Sequence, residues 1–157
     1  MRPTVWRIVK EKHAKTAFTG EGARQFGGRW NSPGTSVIYA AHSQSLAMLE
    51  MLVHLDSPQL LEKYVLFGVE IDAVLISDVD RSKLPRNWKS DPAPASVQAL
   101  GDAWAAGLSS VVLSVPSVLV PGESNFLFNP LHSDFSKLKI CKPTAFQFDP
   151  RFSGKRR

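Results

Sequence analysis

The apolar residues of this chain occur in short segments, each soon followed by Gly, Pro, Asn, Asp or Ser. Short segments rich in valine, isoleucine and aromatic residues, bounded by turn residues, predict β-strands. Such a pattern restricts the chain to a domain with several short strands. The predicted strands are residues 5–9, 36–41, 64–71, 73–79 (a continuation of the third or a separate strand) and the AFQFD segment, 145–149.

Two segments have helical spacing instead. Residues 43–55 predict a helix that Ser43 or Ser45 can cap, and residues 96–108 predict a second helix. Residues 81–94 are rich in Pro, Asp and Ser and predict a loop. Residues 111–120 predict a strand that Pro116 interrupts, which favours an edge, a bend or a bulge over a central paired position. Residues 123–130 predict a segment leading into a turn. Short strands interleaved with two helices indicate an α+β domain.

Length and composition narrow the class of protein. At 157 residues, one domain spanning 1–157 is expected, and 43% hydrophobic residues can form a substantial core. The sequence contains no apolar run of membrane-spanning length and no secretory leader pattern. A single cysteine, Cys141, favours a reducing compartment, so we expect a cytoplasmic protein. One cysteine and four scattered histidines predict no metal site.

The charge distribution is uneven. Residues 1–30 and 131–157 contain 14 of the 19 Lys and Arg, whereas the middle of the chain is mildly acidic. A solvated surface with a basic tail, at about 153–157, explains this pattern, and so does an anionic partner. Direct nucleic-acid binding would call for a recognition helix or a longer basic stripe, neither of which is evident.

The segment GGRWN, residues 27–31, combines a glycine pair with an arginine and a tryptophan. Glycine at position 28 would allow the backbone to approach a ligand closely. The guanidinium of Arg29 suits a bidentate contact with phosphate or carboxylate. A surface arginine that stacks on Trp30 or pairs with a local acid is the alternative.

Glu50 is the only charged residue between Leu46 and Val53, in the predicted helix 43–55. A carboxylate on an apolar face is costly unless it is paired or exposed. Glu50 therefore either faces solvent at the edge of the apolar stripe or points into a pocket as a functional carboxylate.

Three further polar residues lie next to predicted strands. Tyr39 is either a core tyrosine with a satisfied hydroxyl or a wall of a binding site. Ser117 follows Pro116 and is either a local backbone cap or an inward-facing hydroxyl. Asn125 is either a turn-capping residue or a ligand contact.

Several of these residues recur as ordered motifs in a known family. GGRWN, the strand with Tyr39, the Leu-Glu pair at 49–50 and VPSVLVPGESNFLFNP at 115–130 resemble the RES domain family. The opening WRIV, GEGA, LPRNW, GDAW and the closing FDPRF also occur in the expected order, so the resemblance extends almost from end to end. The Arg, Glu and Ser that give the family its name correspond to Arg29, Glu50 and Ser117.

The resemblance implies a fold and a site. The fold would be a single α+β domain like that of ADP-ribosyltransferases, with a split β-sheet and flanking helices around an NAD cleft. Arg29 would bind the anionic part of NAD+, and Glu50 would stabilise the oxocarbenium-like cation. Tyr39 would stack on nicotinamide or ribose, and Ser117, with Asn125 as a weaker candidate, would hydrogen-bond that end. Gly28 would allow close backbone approach.

The resemblance also implies a biological role. The chain would be the toxin of a bacterial type II toxin–antitoxin pair that degrades NAD+ by hydrolysis or phosphorolysis and arrests growth. An Xre-type helix-turn-helix antitoxin would cover the site and provide the contact with DNA. Assembly as a homodimer is a separate hypothesis, for which the sequence contains no signal. Transfer of ADP-ribose to a cellular protein is the second hypothesis. A non-enzymatic module that binds nucleic acid or protein through the basic termini is the third.

Overall fold

The computed structural model describes residues 2–154, so most of the predicted basic tail lies outside the described residues. The strands are β1 (Thr4–Lys10), β2 (Ile38–Ala41), β3 (Tyr64–Glu70), β4 (Ile76–Asp78), β5 (Val112–Pro116), β6 (Ser124–Phe128), β7 (Lys139–Ile140) and β8 (Thr144–Phe146). The α-helices are α1 (Glu21–Phe26), α2 (Gln44–Leu52), α3 (Ser57–Leu60) and α4 (Ala95–Gly107). The predicted α+β fold is confirmed.

The strands form two halves that meet at a narrow junction. The order is β4-β5-β6-β2-β1-β3-β7, and β8 also pairs with β3. β1 pairs with β3 over seven residues, whereas the pairing of β1 with β2 consists, within the described residues, of Trp6 opposite Ala41. The sheet therefore opens beside this pair, which is the split that the resemblance implied.

Arg7 bridges the opening between the two halves. Its Nη1 donates to the carbonyl oxygen of Tyr39 on β2 (2.8 Å), and its Nε donates to that of Ala17 (2.9 Å). Burial lowers the pKa of the Arg7 guanidinium to about 10, so it still carries its charge at neutral pH. A half-buried cation thus ties β1 to β2 where few strand hydrogen bonds do so.

The two long helices pack on different parts of the sheet. Ser43 caps α2, its hydroxyl oxygen accepting from the backbone N–H of Leu46 (3.1 Å), as predicted for one of the two candidate serines. α4 buries Val97 and Trp104 against a core that also contains Trp30 and Leu127. No helix within residues 2–154 is long and apolar enough to cross a membrane.

The structure corrects two predictions about elements and decides between the two alternatives for residues 73–79 in favour of a separate strand. Residues 123–130 contain β6, an interior strand between β5 and β2, because NFLFN supplies the buried face of the sheet. Residues 73–79 form a 3₁₀ turn and then β4, which lies at the far edge beside β5 instead of extending β3. β5 ends at Pro116 and does not continue to residue 120; it lies between β4 and β6, so the expected edge position is wrong, and the proline is accommodated at the end of the strand.

Gly101 allows α4 to approach the GGRWN segment at backbone distance. A Cβ atom at this position would lie 1.6 Å from the carbonyl oxygen of Trp30. Because Trp30 is itself buried, its backbone has little space into which it could move.

We therefore expect Gly101→Ala to lower the free energy of unfolding by about 3 kcal/mol or more, the upper end of the cost of overpacking. Gly107→Ala, in the same helix, is the matched control, because a Cβ there meets no atom within 4 Å. The control should be neutral or stabilise the protein by about 0.5–1 kcal/mol. Urea unfolding measures both, and equal stabilities of the two variants would contradict this packing.

Candidate active site

A cleft of about 930 Å³ opens where the two halves of the sheet diverge. Its walls come from the GGRWN turn, strand β2, helix α2, the loop before α4 and the turn after β5. The predicted site residues that line it are Gly28, Arg29, Tyr39, Glu50 and Asn125. Elements distant in sequence therefore bring five of the six candidates together.

Asn31 holds the GGRWN turn from inside. Its side chain is fully buried, and Nδ2 donates to the carbonyl oxygens of Ala23 (2.8 Å) and Thr35 (3.1 Å). The backbone closes the same turn, since the N–H of Gly28 donates to the carbonyl oxygen of Asn31 (2.9 Å). The geometry of the turn thus depends on a buried amide whose hydrogen bonds are satisfied by the segments on either side of it.

The hydroxyl of Tyr39 completes this network. It donates to Oδ1 of Asn31 (2.6 Å) and accepts from the backbone N–H of Trp30 (3.0 Å). Burial is the largest effect on this group and raises its pKa far above the usual range, so the hydroxyl remains protonated as a donor. The hydrogen-bonded hydroxyl agrees with the prediction of a core tyrosine. The position of the side chain in the wall of the cleft agrees with the alternative prediction, a wall of a binding site.

Gly28 is required by the protein's own packing. A Cβ at this position would lie 2.6 Å from the Tyr39 hydroxyl oxygen and 2.9 Å from Oδ1 of Asn31. The close approach that the sequence suggested for a ligand is therefore made, in this structure, by Tyr39 and Asn31.

Helix α4 fixes the turn from the other side. The carboxylate of Asp102 accepts from the backbone N–H of Ser32 (3.0 Å) and from the Ser32 hydroxyl. Nε2 of Gln98 donates to the carbonyl oxygen of Gly28 (2.9 Å). These contacts, with the close approach at Gly101, hold the turn against the helix.

Arg29 emerges from this turn into the cleft. Its Nη1 donates to the carbonyl oxygens of Trp88 (3.1 Å) and Ser90 (2.8 Å), and its Nη2 lies 3.9 Å from a carboxylate oxygen of Asp91. The hydrogen bonds of Nη1 thus orient the guanidinium, while Nη2 faces the exposed carboxylate of Asp91. The alternative that Arg29 pairs with a nearby acid is therefore met in part, by Asp91.

Glu50 faces the cleft from helix α2. The side chain is half-buried, and its Oε1 accepts from Nδ2 of Asn125 on β6 (2.9 Å). The solvent-facing alternative for Glu50 does not hold, because this residue lines the cavity together with Asn125. Oδ1 of Asn125 is buried and has no hydrogen-bond partner among the described residues.

Ser117 lies behind the wall formed by the turn after β5. Its hydroxyl oxygen accepts from the backbone N–H groups of Leu119 (3.1 Å) and Val120 (3.0 Å). Among the described residues that line the cavity, Val118 and Leu119 are present and Ser117 is not. In this structure the serine shapes the wall as a local cap, which was the alternative reading of its sequence position.

Sequence reasoning missed four residues that build the site: Arg7, Asn31, Gln98 and Asp102. Arg7 and Asn31 stand next to Trp6 and Trp30 in segments already singled out, so their positions could have drawn notice. Asp102 lies in the GDAW motif, so its position could also have drawn notice. Gln98 carries no comparable signal, since a polar residue at helical spacing also describes an ordinary solvent-facing surface.

Proteins with similar sequences are known for nearly the whole length of this chain. The model of the RES domain matches residues 4–149. The chain belongs to the RES domain family. It is 45% identical over 148 residues to a protein named Toxin Res from Yersinia enterocolitica, covering 94% of this chain and 97% of that protein.

A second relative has a more specific name. The chain is 38% identical to the Prs ADP-ribosylating toxin of a Sphingobium species, with 99% of each chain covered. A solved structure also shares the fold: the Mycobacterium tuberculosis MbcT–MbcA toxin–antitoxin complex matches with a TM-score of 0.76 at 21% identity. That match covers 98% of this chain and 87% of the solved chain.

Proposed function

We propose that this protein is the toxin of a toxin–antitoxin pair and that it cleaves the nicotinamide–ribose bond of NAD+. The relatives named Toxin Res support the first part. The observation that carries the second is the placement of a guanidinium, Arg29, and a carboxylate, Glu50, in one cleft of about 930 Å³. Such a cleft is large enough for a dinucleotide-sized ligand.

Glu50 is suited to the reaction centre. Loss of nicotinamide leaves positive charge on the ribose, as in glycoside cleavage, and an oriented carboxylate stabilises that charge. The hydrogen bond from Asn125 engages Oε1 of Glu50 and leaves Oε2 available to the ribose.

Arg29 is suited to the opposite end of the ligand. Its Nη1 is held by two carbonyl oxygens, so its remaining donors have a fixed direction toward the cleft. Preorganised donors of this kind bind the charged oxygens of a pyrophosphate well. NAD+ would thus lie with its phosphates at Arg29 and its nicotinamide ribose at Glu50.

The remaining residues would shape the space between these two ends. The ring of Tyr39 lines the cleft with its hydroxyl fixed, so it offers an aromatic face to nicotinamide or ribose. Ser117 would act through Val118 and Leu119 by fixing the turn that carries them. We assign no metal a role in this reaction.

Transfer of ADP-ribose to a protein is the second candidate. One observation favours it: a relative that aligns over 99% of this chain is named as an ADP-ribosylating toxin. The same Arg29 and Glu50 would act in both reactions, and the acceptor alone would differ. NAD+ labelled in its adenylate half separates them, since hydrolysis or phosphorolysis gives a small labelled product and transfer leaves label on a protein.

Replacement of Glu50 by glutamine should lower kcat for NAD+ cleavage about 100-fold or more, because the charge that stabilises the cation is lost. The amide oxygen can still accept from Asn125, so the fold should be preserved. Release of labelled nicotinamide measures the rate, and the unfolding midpoint checks the fold. Glu11→Gln, at an exposed position outside the cleft, is the matched control. Unchanged turnover in a folded Glu50→Gln protein would rule out this role.

We include an Xre-type helix-turn-helix antitoxin in the proposal. The solved structure of similar fold is a toxin–antitoxin complex, which supports a proteinaceous partner. Phe26 and Val53 are exposed at the cleft and offer apolar area for contact. An anionic group of the antitoxin facing Arg29 would close the site by charge complementarity.

On this arrangement, Arg29→Ala should weaken the toxin–antitoxin complex by about tenfold or more, as expected when one partner of a desolvated charge pair is removed. Calorimetric titration with the co-encoded antitoxin provides the measurement. Arg81→Ala removes an exposed arginine outside the cleft and serves as the control. Equal affinities for the two variants would show that the antitoxin covers the cleft without contacting Arg29.

A further inference from the structure

The loop before α4 places an acid beside the arginine of the cleft. Asp91 is the nearest carboxylate to Arg29, with 3.9 Å between its oxygen and Nη2, and it lines the same cavity. The guanidinium nitrogen it faces is not the one that orients Arg29, because Nη1 makes the bonds to Trp88 and Ser90. Asp91 therefore occupies the position from which an anionic ligand would approach.

This ion pair is weak enough to be replaced. The side chain of Asp91 is 93% exposed, whereas that of Arg29 is 22% exposed. Solvent screens an exposed carboxylate at this distance, and such pairs contribute little to stability. A phosphate group making two short, charge-assisted hydrogen bonds to Arg29 would be the stronger partner.

The side chain of Asp91 can move away from Arg29 while the loop stays in place. The hydrogen bonds from Nη1 of Arg29 hold the backbone of Trp88 and Ser90, not the Asp91 carboxylate. Trp88 packs against Trp30 with ring centroids 6.3 Å apart, which anchors the loop at one end, and α4 anchors it at the other. Between these points, Lys89 and Asp91 are exposed and also line the cavity. Movement of Asp91 away from Arg29 would leave Nη2 of Arg29 free for the incoming anion. Lys89, whose Nζ lies 5.4 Å from the centroid of the Trp88 ring, adds a second positive charge to the cavity lining.

We propose that Asp91 is a built-in competitor that sets the affinity of the site for the anionic part of its substrate. This inference rests on the proposed function for the identity of the substrate, a dinucleotide with a pyrophosphate. Binding exchanges the Asp91 carboxylate for pyrophosphate oxygens at the same guanidinium. The exchange lowers affinity for substrate and also keeps a product that retains the pyrophosphate from being held tightly.

Asp91→Asn preserves the size of the side chain and removes its charge. We expect KM for NAD+ to fall about two- to fivefold, the range expected for an exposed ion pair, while kcat stays within twofold. Asp78→Asn is the matched control, because it makes the same change in net charge at an exposed position of β4 outside the cleft. The difference between the two variants should disappear near 1 M salt, where the screening length is about 3 Å.

Two ligands, one charged and one neutral, separate an effect of the Asp91 charge from a change in the shape of the cleft. Inorganic pyrophosphate should bind Asp91→Asn about two- to fivefold more tightly than the parent, as measured by calorimetric titration. Nicotinamide is neutral, and its inhibition constant should be the same in both proteins. A merely structural effect of Asp91 on the cleft would change both ligands together.

The outcomes separate this inference from the proposed function. If the parent cleaves NAD+ and Asp91→Asn has the KM and pyrophosphate affinity of Asp78→Asn, the proposed competition by Asp91 is wrong and the proposed cleavage of NAD+ is retained. If the parent does not cleave NAD+ but Asp91→Asn binds pyrophosphate more tightly, the competition stands and the function is wrong. A parallel change in nicotinamide binding, or a difference that persists in 1 M salt, would also overturn the competition.

Discussion

The site depends on the close contact between the GGRWN turn and helix α4. At Gly101 the helix has no side chain, so the carbonyl oxygen of Trp30 lies where a Cβ would otherwise be. Asn31 and Tyr39 hold the same turn from the sheet side with hydrogen bonds of 2.6–3.1 Å. A turn fixed from both sides gives Arg29 a defined origin, which a surface loop would not provide.

The opening in the sheet creates the space that this arginine faces. β1 and β2 meet at Trp6 and Ala41, and Arg7 bridges the two halves through carbonyl oxygens instead of continuous strand pairing. Glu50 reaches the opening from α2 and is oriented by Asn125. The cation and the carboxylate thus stand on separate elements whose relative position is set by the split. This arrangement suits a ligand that is anionic at one end and cationic in its transition state at the other.

Much of the architecture was predictable because it depends on local patterns. The strand at 5–9 lies inside β1, the cap at Ser43 begins α2, and the helix at 96–108 agrees with α4 to within one residue at each end. β6 was missed because Asn125, Asn129 and Pro130 are typical of turns, and the burial of the phenylalanines in the sheet becomes evident only with the neighbouring strands in place. The position of β4 at the far edge depends on parallel pairing with β5, for which nearby sequence holds no signal.

The site residues divide in the same way. Arg29 and Glu50 could be singled out because each has an unusual sequence environment, and the structure brings both to one cleft. Asn31 and Asp102 also lie in motifs that the sequence offers, but their supporting role, like that of Gln98, could not be predicted, because the tertiary fold sets their hydrogen-bond partners. Ser117 could be singled out by its place after Pro116, but the direction of its hydroxyl depends on the turn that it caps.

The most direct test of the central claim is the NAD+ concentration in cells after induced expression, beside an Arg29→Ala, Glu50→Gln double variant at equal protein level. If the protein degrades NAD+ in this cleft, NAD+ falls rapidly with the parent and stays at a stable concentration with the double variant. Growth arrest at a stable NAD+ concentration would contradict degradation as the toxic activity and favour ADP-ribose transfer. Equal loss of NAD+ with both proteins would show that Arg29 and Glu50 do not form the site.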